Sequence, residues 1–365
     1  ITTYRSEGGY TDRRHPDKVT WGDSLEDDLA RRDFTINAIA YNGKKLIDPF
    51  HGQEDIEKKL VRAVGDPEKR FAEDALRLLR AIRIATELGF TIEEKTADAI
   101  KKQASLIKDV ANERIRDELF KILASDHQAD GILLLKQHNL LYEILPEFEK
   151  AFATEQKSPE RHHIYNVGTH LIESLRSTPS KDIIVRLATL LHDIGKPETA
   201  DTTEGGVRTF YNHEVIGATM VKAIAERLRL SRYDTGRLIR LVRWHQFSVE
   251  EHQTDSAVRR FIRHIGRENI QAMLDLRVGD RLGGGVAETS WRTELFKKRL
   301  EEVQKQPFSI YDLKINGNDV MKVLDIKPGP KVGKVLQQLF SEVEEKRLEN
   351  ERKVLLERIA SLNKT

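Results

Sequence analysis

The feature that most constrains this fold is a helical pattern between residues 70 and 88. Asp74, Arg77 and Arg80 fall on one side of a helix drawn through these residues, and apolar residues recur on the other. We expect an amphipathic helix, and we expect its buried face to carry Phe71, Ala75, Leu78, Leu79 and Ile82. Similar patterns predict helices over 93–107, 113–125, 129–138 and 333–361, so the chain should be mainly α-helical.

The polar face of this helix carries the chemistry needed to read a nucleobase. In the run from Glu73 to Arg77, a carboxylate lies one turn from a guanidinium. Cytosine and adenine each place an exocyclic amine beside a ring nitrogen, so a carboxylate can accept from the amine while a guanidinium donates to the ring. Uracil and guanine present a carbonyl instead of the amine. An ordinary surface ion pair has the same spacing, and the run alone leaves both interpretations open.

Two further motifs lie in order around this E-D-x-x-R run. Arg31-Arg32-Asp33-Phe34-Thr35-Ile36-Asn37-Ala38 precedes it, and Glu113-Arg114-Ile115-Arg116-Asp117-Glu118-Leu119 follows it. Together the three motifs resemble the class II nucleotidyltransferases, which comprise the CCA-adding tRNA nucleotidyltransferases and the bacterial poly(A) polymerases. The resemblance covers nearly the whole chain.

The resemblance implies a role for individual residues. Asp74 and Arg77 would select CTP and ATP without a nucleic-acid template, and Glu113 and Arg116 would support the helical neck. A loop over residues 6–15, with Arg13 and Arg14, would take part in the change from CTP to ATP; an ordinary solvated connector explains it equally well. The nucleotide-binding residues implied by the resemblance, including those for the sugar and triphosphate, are Arg32, Asp33, Asn37, Asp74, Arg77 and Arg80.

One element of the family pattern is absent from the printed sequence. The family holds its catalytic metal with a D-x-D pair on a strand that follows a Gly-rich turn, and neither occurs here. The first residues, Ile1-Thr2-Thr3-Tyr4-Arg5, resemble the end of a later family strand. We therefore expect the chain to lack the N-terminal part of the head, and residues 1–365 to bind ATP or CTP without transferring nucleotides.

The central part of the chain contains a second set of chemically reactive residues. The adjacent pair His192-Asp193 follows the apolar run 187–191, with one histidine before it, two after it and a late aspartate. This order resembles the HD phosphohydrolase superfamily. The resemblance implies that His170, His192, Asp193 and Asp280 hold one divalent metal and that His213 and His245 add ligands for a second.

Imidazole and carboxylate ligands suit divalent transition metals such as Mn²⁺ or Ni²⁺. Such an ion acidifies bound water and polarises a phosphoryl oxygen, which is the chemistry of phosphate ester hydrolysis. Lys196, one turn after the His-Asp pair, is placed to steer a phosphate, although a solvated charge at a helix end explains it equally well.

Composition narrows the class of protein further. The chain contains no cysteine, which excludes disulfides and thiolate metal ligands and fits a cytoplasmic location. No apolar run approaches the roughly 18–20 residues of a membrane span. The net charge is only +2, so contacts to nucleic acid must come from local patches. We predict a nucleotidyltransferase head portion, a helical neck that binds RNA, an HD domain and a tail, over residues 1–65, 66–157, 158–310 and 311–365.

These observations predict an α+β, mainly α, fold and a CCA-adding tRNA nucleotidyltransferase. The expected partners are ATP, CTP and the tRNA 3′ end, with no membrane, and Mg²⁺ is the expected ion for transfer. An A-adding enzyme, a CC-adding enzyme and a poly(A) polymerase share these motifs. A stand-alone HD phosphohydrolase with decayed transferase parts is a further alternative. The intact Asp74 and Arg77 set argues against it. The sequence does not indicate an oligomeric state.

Overall fold

A computed structural model of the chain describes residues 5–8, 18–21, 24–156, 165–247, 254–304, 310–345 and 347–362. Helices dominate and the strands are short, which confirms the predicted α+β, mainly α, fold class. The chain forms two compact units. The first combines residues 1–246 with 271–288, and the second combines residues 247–270 with 289–365.

The strands pair only in twos within the described ranges. The pair β5–β6 is parallel, with helices in the connection between its strands, and the other three pairs are antiparallel. The strands are β1 (Arg5–Gly8), β2 (Lys18–Trp21), β3 (Ala40–Tyr41), β4 (Leu46–Ile47), β5 (Leu60–Val61), β6 (Thr91–Ile92), β7 (Asp201–Thr202) and β8 (Arg208–Thr209).

Helices carry most of both units. The helices up to residue 153 are α1 (Leu25–Ala30), α2 (Gly52–Glu57), α3 (Pro67–Glu73), α4 (Leu76–Leu88), α5 (Glu94–Gln103), α6 (Asn112–Ala124), α7 (Gln128–Gln137), α8 (Leu140–Ile144) and α9 (Glu147–Ala153). The later helices are α10 (Val167–Ser177), α11 (Ile183–Leu191), α12 (Lys196–Thr199), α13 (His213–Arg227), α14 (Arg232–Trp244), α15 (Asp255–Ile265), α16 (Ile270–Gly283), α17 (Trp291–Gln304), α18 (Gly317–Leu324), α19 (Pro330–Glu344) and α20 (Arg352–Leu362).

The single helix predicted over residues 70–88 is wrong, because the chain breaks between α3 and α4 at Asp74. This residue is extended, with φ −140° and ψ 103°, and its Oδ1 accepts the backbone N–H of Leu76 at 3.0 Å. The carboxylate thus caps the start of α4, as short polar side chains do at helix N-termini. The predicted apolar face is buried as expected, and Gly89, with φ 64°, ends α4 in the left-handed region.

Helix α11 shows how the sequence places the His-Asp pair. Asp182 precedes the helix and accepts the backbone N–H groups of Ile184 and Val185, which fixes the first turn. Nearly every side chain from Ile184 to Leu191 is buried, so α11 is a core helix. The chain leaves this helix at His192, and the His-Asp pair therefore starts from a rigid, buried element.

The second unit has an aromatic core and a helical tail. Phe247, Phe261 and Phe296 pack with ring centroids 4.8–5.5 Å apart. This packing joins α17 to the segment 247–270. Both belong to the same unit as the tail, whereas the sequence analysis placed them in the histidine unit, residues 158–310.

The single terminal helix predicted over 333–361 is wrong. The chain forms α19 and α20 instead, and Asn350 lies in the connection between them. Its side chain accepts from the N–H of Lys314 and donates to the carbonyl of Asp312, both at 3.0 Å. Arg358 of α20 then pairs with Glu342 of α19 at 2.7 Å. These contacts fold the end of the chain back on itself.

Within the described ranges, no helix combines the length and the apolar character that crossing a bilayer demands. The predicted loop over residues 6–15 begins in strand β1, and its remainder, with Arg13 and Arg14, lies outside the described residues. The predicted boundary at 157/158 lies outside them as well.

Candidate functional site

A cleft of about 750 Å³ collects the motifs that the sequence analysis singled out. Its walls come from residues 31–37, from α4 with the residues just before it, and from the first turn of α6. All six predicted nucleotide-binding residues line it: Arg32, Asp33, Asn37, Asp74, Arg77 and Arg80.

Asp33 is fixed at both carboxylate oxygens. Oδ1 accepts the backbone N–H of Phe34 at 2.9 Å and Nδ2 of Asn37 at 3.1 Å, and Oδ2 accepts Nε of Arg80 at 2.7 Å. Burial by itself would raise the pKa of Asp33, but the charge of Arg80 and the N–H donors of Asn37 and Phe34 hold it below its usual range. The cleft therefore contains an oriented anion that can accept a sugar hydroxyl.

Arg32 brings positive charge to the same wall. Its Nη1 donates to the carbonyl of Asn37 at 2.7 Å, and its Nη2 contacts Oδ2 of the buried Asp28 at 3.3 Å. These contacts fix the Arg32 side chain. Its guanidinium has five N–H donors, so it can also donate to a ligand. A fixed guanidinium of this kind suits phosphate oxygens.

Arg77 is held by three acceptors from three places in the chain. Its Nη1 donates to Oε2 of Glu73 at 2.8 Å and to the carbonyl of Arg70 at 3.0 Å. Its Nη2 donates to the carbonyl of Arg31 at 3.1 Å, across 46 residues of sequence. The guanidinium is thus preorganised, and the Arg77 side chain, which lines the cleft, is 11% exposed.

The i,i+3 ion pair between Asp74 and Arg77 does not form among the described residues, because Arg77 pairs with Glu73 and Asp74 with Arg114. Oδ1 of Asp74 caps α4 through Leu76, and Oδ2 accepts Nη2 of Arg114 at 3.2 Å. Among the described residues, no ion pair joins Asp74 to Arg77. An ionised carboxylate has about four lone-pair sites, so these two contacts leave acceptor capacity for a ligand.

The sequence analysis missed three arginines that line this cleft. Arg31 and Arg83 line it, and so does Arg114, which comes from a distant helix. Arg114 is part of the third motif, but the resemblance implied a role only for its neighbours Glu113 and Arg116. Arg116 donates to the carbonyl of Arg229 at 2.7 Å and does not line the cleft.

The second site is a buried centre of imidazoles and carboxylates. The structure brings the six predicted ligands together from five helices or helix ends, and all six belong to the first unit. Each ligand lies within 3.5 Å of at least one other: His170, His192, Asp193, His213, His245 and Asp280.

Asp193 occupies the middle of this centre. Its Oδ1 lies 3.1 Å from Nε2 of His213 and 3.4 Å from Nε2 of His245, and its Oδ2 lies 3.4 Å from Nε2 of His192. A single carboxylate therefore bridges two groups of imidazoles. This arrangement places His213 and His245 beside the ligands that the resemblance implies for the first metal.

Three of the histidines are oriented by their own backbone. Nδ1 of His192 lies 2.8 Å from the carbonyl of Thr189, and Nδ1 of His213 and of His245 each lie 2.7 Å from the carbonyl three residues earlier. A carbonyl can only accept, so Nδ1 carries the proton and donates. Nε2 therefore faces the centre, and it is the atom that binds a metal once it carries no proton.

Charge is concentrated in this centre. Burial by itself would lower the pKa of His192, but Asp193 and Asp280 raise it to about 10. The pKa of Asp193 lies well below its usual range, because Lys196 and the imidazoles outweigh burial. Lys196 Nζ lies 2.5 Å from Asp193 Oδ2 and 2.7 Å from Gln156 Oε1.

The donor set fits divalent cations. Two sets of three residues each bring their donor atoms within 4.8 Å of one another. The first set is His170, His192 and Asp280, and the second is His192, Asp193 and His245. All donors are nitrogen or carboxylate oxygen, which suits borderline and hard divalent ions. A cavity of about 450 Å³ opens onto this centre, and Lys196, Tyr211 and Arg277 contribute to its walls.

One helical unit thus contains a nucleotide-sized cleft lined by arginines and aspartates and a buried centre of imidazoles and carboxylates. Family comparisons make the class definite. Four family models match: the poly(A) polymerase head domain at residues 1–62, the RNA- and SrmB-binding site of polymerase A at 89–152, the HD domain at 161–281, and tRNA nucleotidyltransferase domain 2 at 228–359.

Individual relatives agree with these models. An A-adding tRNA nucleotidyltransferase from Deinococcus radiodurans is 36% identical over 329 residues, which cover 87% of this chain and 74% of the relative. A CCA-adding enzyme from Streptococcus thermophilus is 30% identical and covers 98% of this chain and 77% of its own length. The chain belongs to the tRNA nucleotidyltransferase family that contains the CCA-adding enzymes, and the predicted family is confirmed.

Solved structures show the same fold. The CCA-adding enzyme of Bacillus stearothermophilus, in complex with CTP, superposes with a TM-score of 0.68 at 24% identity, covering 100% of this chain and 78% of that one. The Thermotoga maritima CCA-adding enzyme, complexed with tRNA, gives a TM-score of 0.57 at 24% identity, covering 93% of this chain and 74% of that one.

Proposed function

We propose that this protein adds C and A nucleotides to the 3′ end of tRNA, with CTP and ATP as substrates. The observation that carries this proposal is the arrangement of Asp74 and Arg77 in one cleft. Each is held by a different partner, and each retains hydrogen-bonding capacity for a base. A fixed acceptor beside a fixed donor fork matches the edge shared by cytosine and adenine.

The remaining cleft residues bind the sugar and the triphosphate of the nucleotide. Asp33, oriented by Asn37 and Arg80, accepts a sugar hydroxyl, and Arg32 contacts the triphosphate. Mg²⁺ is the proposed ion for transfer, where it neutralises the triphosphate and activates the attacking hydroxyl. The printed sequence contains no D-x-D triplet, and we assign no ligand to this ion.

Equilibrium binding of the four ribonucleoside triphosphates to residues 1–365 tests base selection at this site. We expect CTP and ATP to bind more tightly than UTP and GTP, because only their amines complement the Asp74 carboxylate. Equal affinity for all four would contradict the proposal. Incorporation of labelled nucleotides into tRNA that lacks its 3′ end then tests transfer, in a form that carries the D-x-D strand.

A second candidate is an enzyme that adds A alone. It is favoured by the similarity to the A-adding enzyme of Deinococcus radiodurans, at 36% identity over 87% of this chain. The two candidates share the cleft residues and differ in the nucleotides incorporated. Tightly selective binding of ATP over CTP would favour the A-adding enzyme.

We propose that the His-Asp centre is a metal-dependent phosphohydrolase site. His170, His192, Asp193 and Asp280 would hold one divalent transition metal such as Mn²⁺ or Ni²⁺, and His213 and His245 would add ligands for a second. The metal supplies an acidified water and polarises the phosphoryl oxygen. Lys196, already held against Asp193, would steer the phosphate of a phosphomonoester or a 2′,3′-cyclic phosphodiester. Because tRNA is the proposed substrate, we place the enzyme in the cytoplasm.

A further inference from the structure

The carboxylate of Asp74 has a partner that no motif assignment explains. Arg114 lies in the first turn of α6, 40 residues further along the chain, and its Nη2 contacts Oδ2 of Asp74 at 3.2 Å. Both side chains line the cleft and are only partly exposed, at 29% for Arg114 and 20% for Asp74. The contact therefore lies within the cleft.

The geometry points to Arg114 as a positioning residue that sets the base specificity of the cleft. A carboxylate that must distinguish an amine from a carbonyl has to keep a fixed plane, and a plane is fixed when both of its ends are held. The N–H of Leu76 holds Oδ1 of Asp74, and Arg114 holds Oδ2. Without Arg114 one end is free, and the χ2 torsion of Asp74 turns in a broad energy well. The inference rests on the proposed role of Asp74 in base selection.

The side chain of Asp74 needs the contact with Arg114 because the backbone at this position does little to fix its orientation. The residue lies in the break between α3 and α4, in extended conformation, rather than inside a helix. Its side-chain direction is thus set by hydrogen bonds and not by helix packing. Arg77, in contrast, lies on α4 and has three acceptors of its own. Of the two residues proposed to read the base, Asp74 depends more on a single distant contact.

Arg116, on the same helix as Arg114, makes it possible to distinguish a direct contact with Asp74 from a general effect of α6. Arg116 donates to the carbonyl of Arg229 and to Asp117, and it does not line the cleft. If α6 acted only by stiffening the neck, then removing either arginine would have the same consequence. A direct hold on Asp74 predicts a consequence for Arg114 alone.

The test is the affinity for CTP, ATP, UTP and GTP of residues 1–365, unchanged and as the variants Arg114→Ala, Arg114→Lys, Arg116→Ala, Asp74→Ala and Arg176→Ala. We expect Arg114→Ala to reduce the preference for CTP and ATP about three- to tenfold, and Arg114→Lys to restore part of it because an ammonium still reaches Oδ2. Arg176→Ala removes a comparable Arg–Asp pair, with Asp130 at 2.7 Å and outside the cleft, and should leave the preference unchanged.

Two results would overturn the inference. The first is an unchanged preference in Arg114→Ala when Asp74→Ala loses it. The second is an equal loss in Arg116→Ala, which would assign the effect to α6 as a whole. If Asp74→Ala itself keeps the wild-type preference, the proposed role of Asp74 fails instead. Thermal unfolding of each variant identifies a loss of fold, which would lower the affinity for all four nucleotides together.

Discussion

The two sites of the first unit are built in opposite ways. In the His-Asp centre, three imidazoles are oriented by carbonyls only three residues away, and every ligand except Asp280 is buried. In the cleft, Asp74, Arg77 and Asp33 have local contacts too, but each also depends on one partner 40 to 47 positions distant. The centre thus depends on local geometry repeated at several helix ends, whereas the cleft depends on contacts between separate segments.

This difference follows from the task of each site. A metal needs several donor atoms at fixed distances in a dry environment, and local hydrogen bonds provide that rigidity. A nucleotide must enter and leave, so the cleft is open and its charged side chains are partly exposed. We therefore expect the centre to fail completely when a ligand is removed and the cleft to lose function in graded steps.

The largest effect should come from removing the His-Asp pair. Replacing His192 and Asp193 with Ala should abolish bound metal and hydrolysis, because Asp193 contacts both groups of imidazoles. Metal analysis and a hydrolysis assay with Mn²⁺, Ni²⁺, Co²⁺ and Mg²⁺ would measure it. His138→Ala is the control, since His138 also bonds a backbone carbonyl but lies outside the centre. If the wild-type protein binds none of the four ions, the centre is a structural part of the fold and not a metal site.

The next largest effect should come from Asp74→Ala combined with Arg77→Ala. Each charge-assisted contact to the base is worth about 1–3 kcal/mol, so selectivity against UTP and GTP should fall by about tenfold to more than a hundredfold. Nucleotide affinities of residues 1–365 would report the loss. Arg80→Ala should change selectivity less, because Arg80 holds Asp33 and not the base. Native selectivity in the double variant would show that other residues read the base.

A smaller effect should follow from Gly195→Ala. A Cβ at this position would lie 2.2 Å from the carbonyl oxygen of His213, so α13 must shift away. We expect a loss of about 1–3 kcal/mol in the free energy of unfolding and weaker metal binding. Gly236→Ala is the matched control, since its Cβ would meet nothing within 4 Å and should stabilise α14 by about 0.5–1 kcal/mol. Equal effects of the two substitutions would show that the approach of α13 is not tight.

The smallest effect concerns the pH dependence of the cleft. Because the pKa of Asp33 is lowered in the folded state, its contribution to stability is complete above the unfolded pKa of about 3.9. That contribution is lost as the pH falls through the lower, folded value. The difference in unfolding free energy between wild type and Asp33→Asn should therefore shrink as the pH falls below 4. A difference independent of pH would mean that Arg80 does not act through the charge of Asp33.

Much of the fold could be predicted from periodicity. The apolar face of residues 71–82 is buried, as its helical spacing predicts. The two predictions of continuous helices failed at different kinds of contact. The side chain of Asp74 accepts a backbone N–H two residues on, at the start of a new helix. The side chain of Asn350 bonds backbone groups 36 and 38 residues earlier in the chain. A pattern of apolar residues predicts neither contact.

The sequence by itself pointed to residues that the structure brings together at each place, because the motifs carry donors and acceptors in order. Only the tertiary structure decided how those residues are held. The sequence could not show that Asp74 pairs with Arg114 and not with Arg77, because 40 residues of chain separate the partners. Local hydrogen bonds follow from spacing along the chain, whereas long-range contacts follow from the packing of whole helices. For this reason the order of the His-Asp residues indicated a common centre, while the specificity of the cleft rests on contacts that only the folded chain reveals.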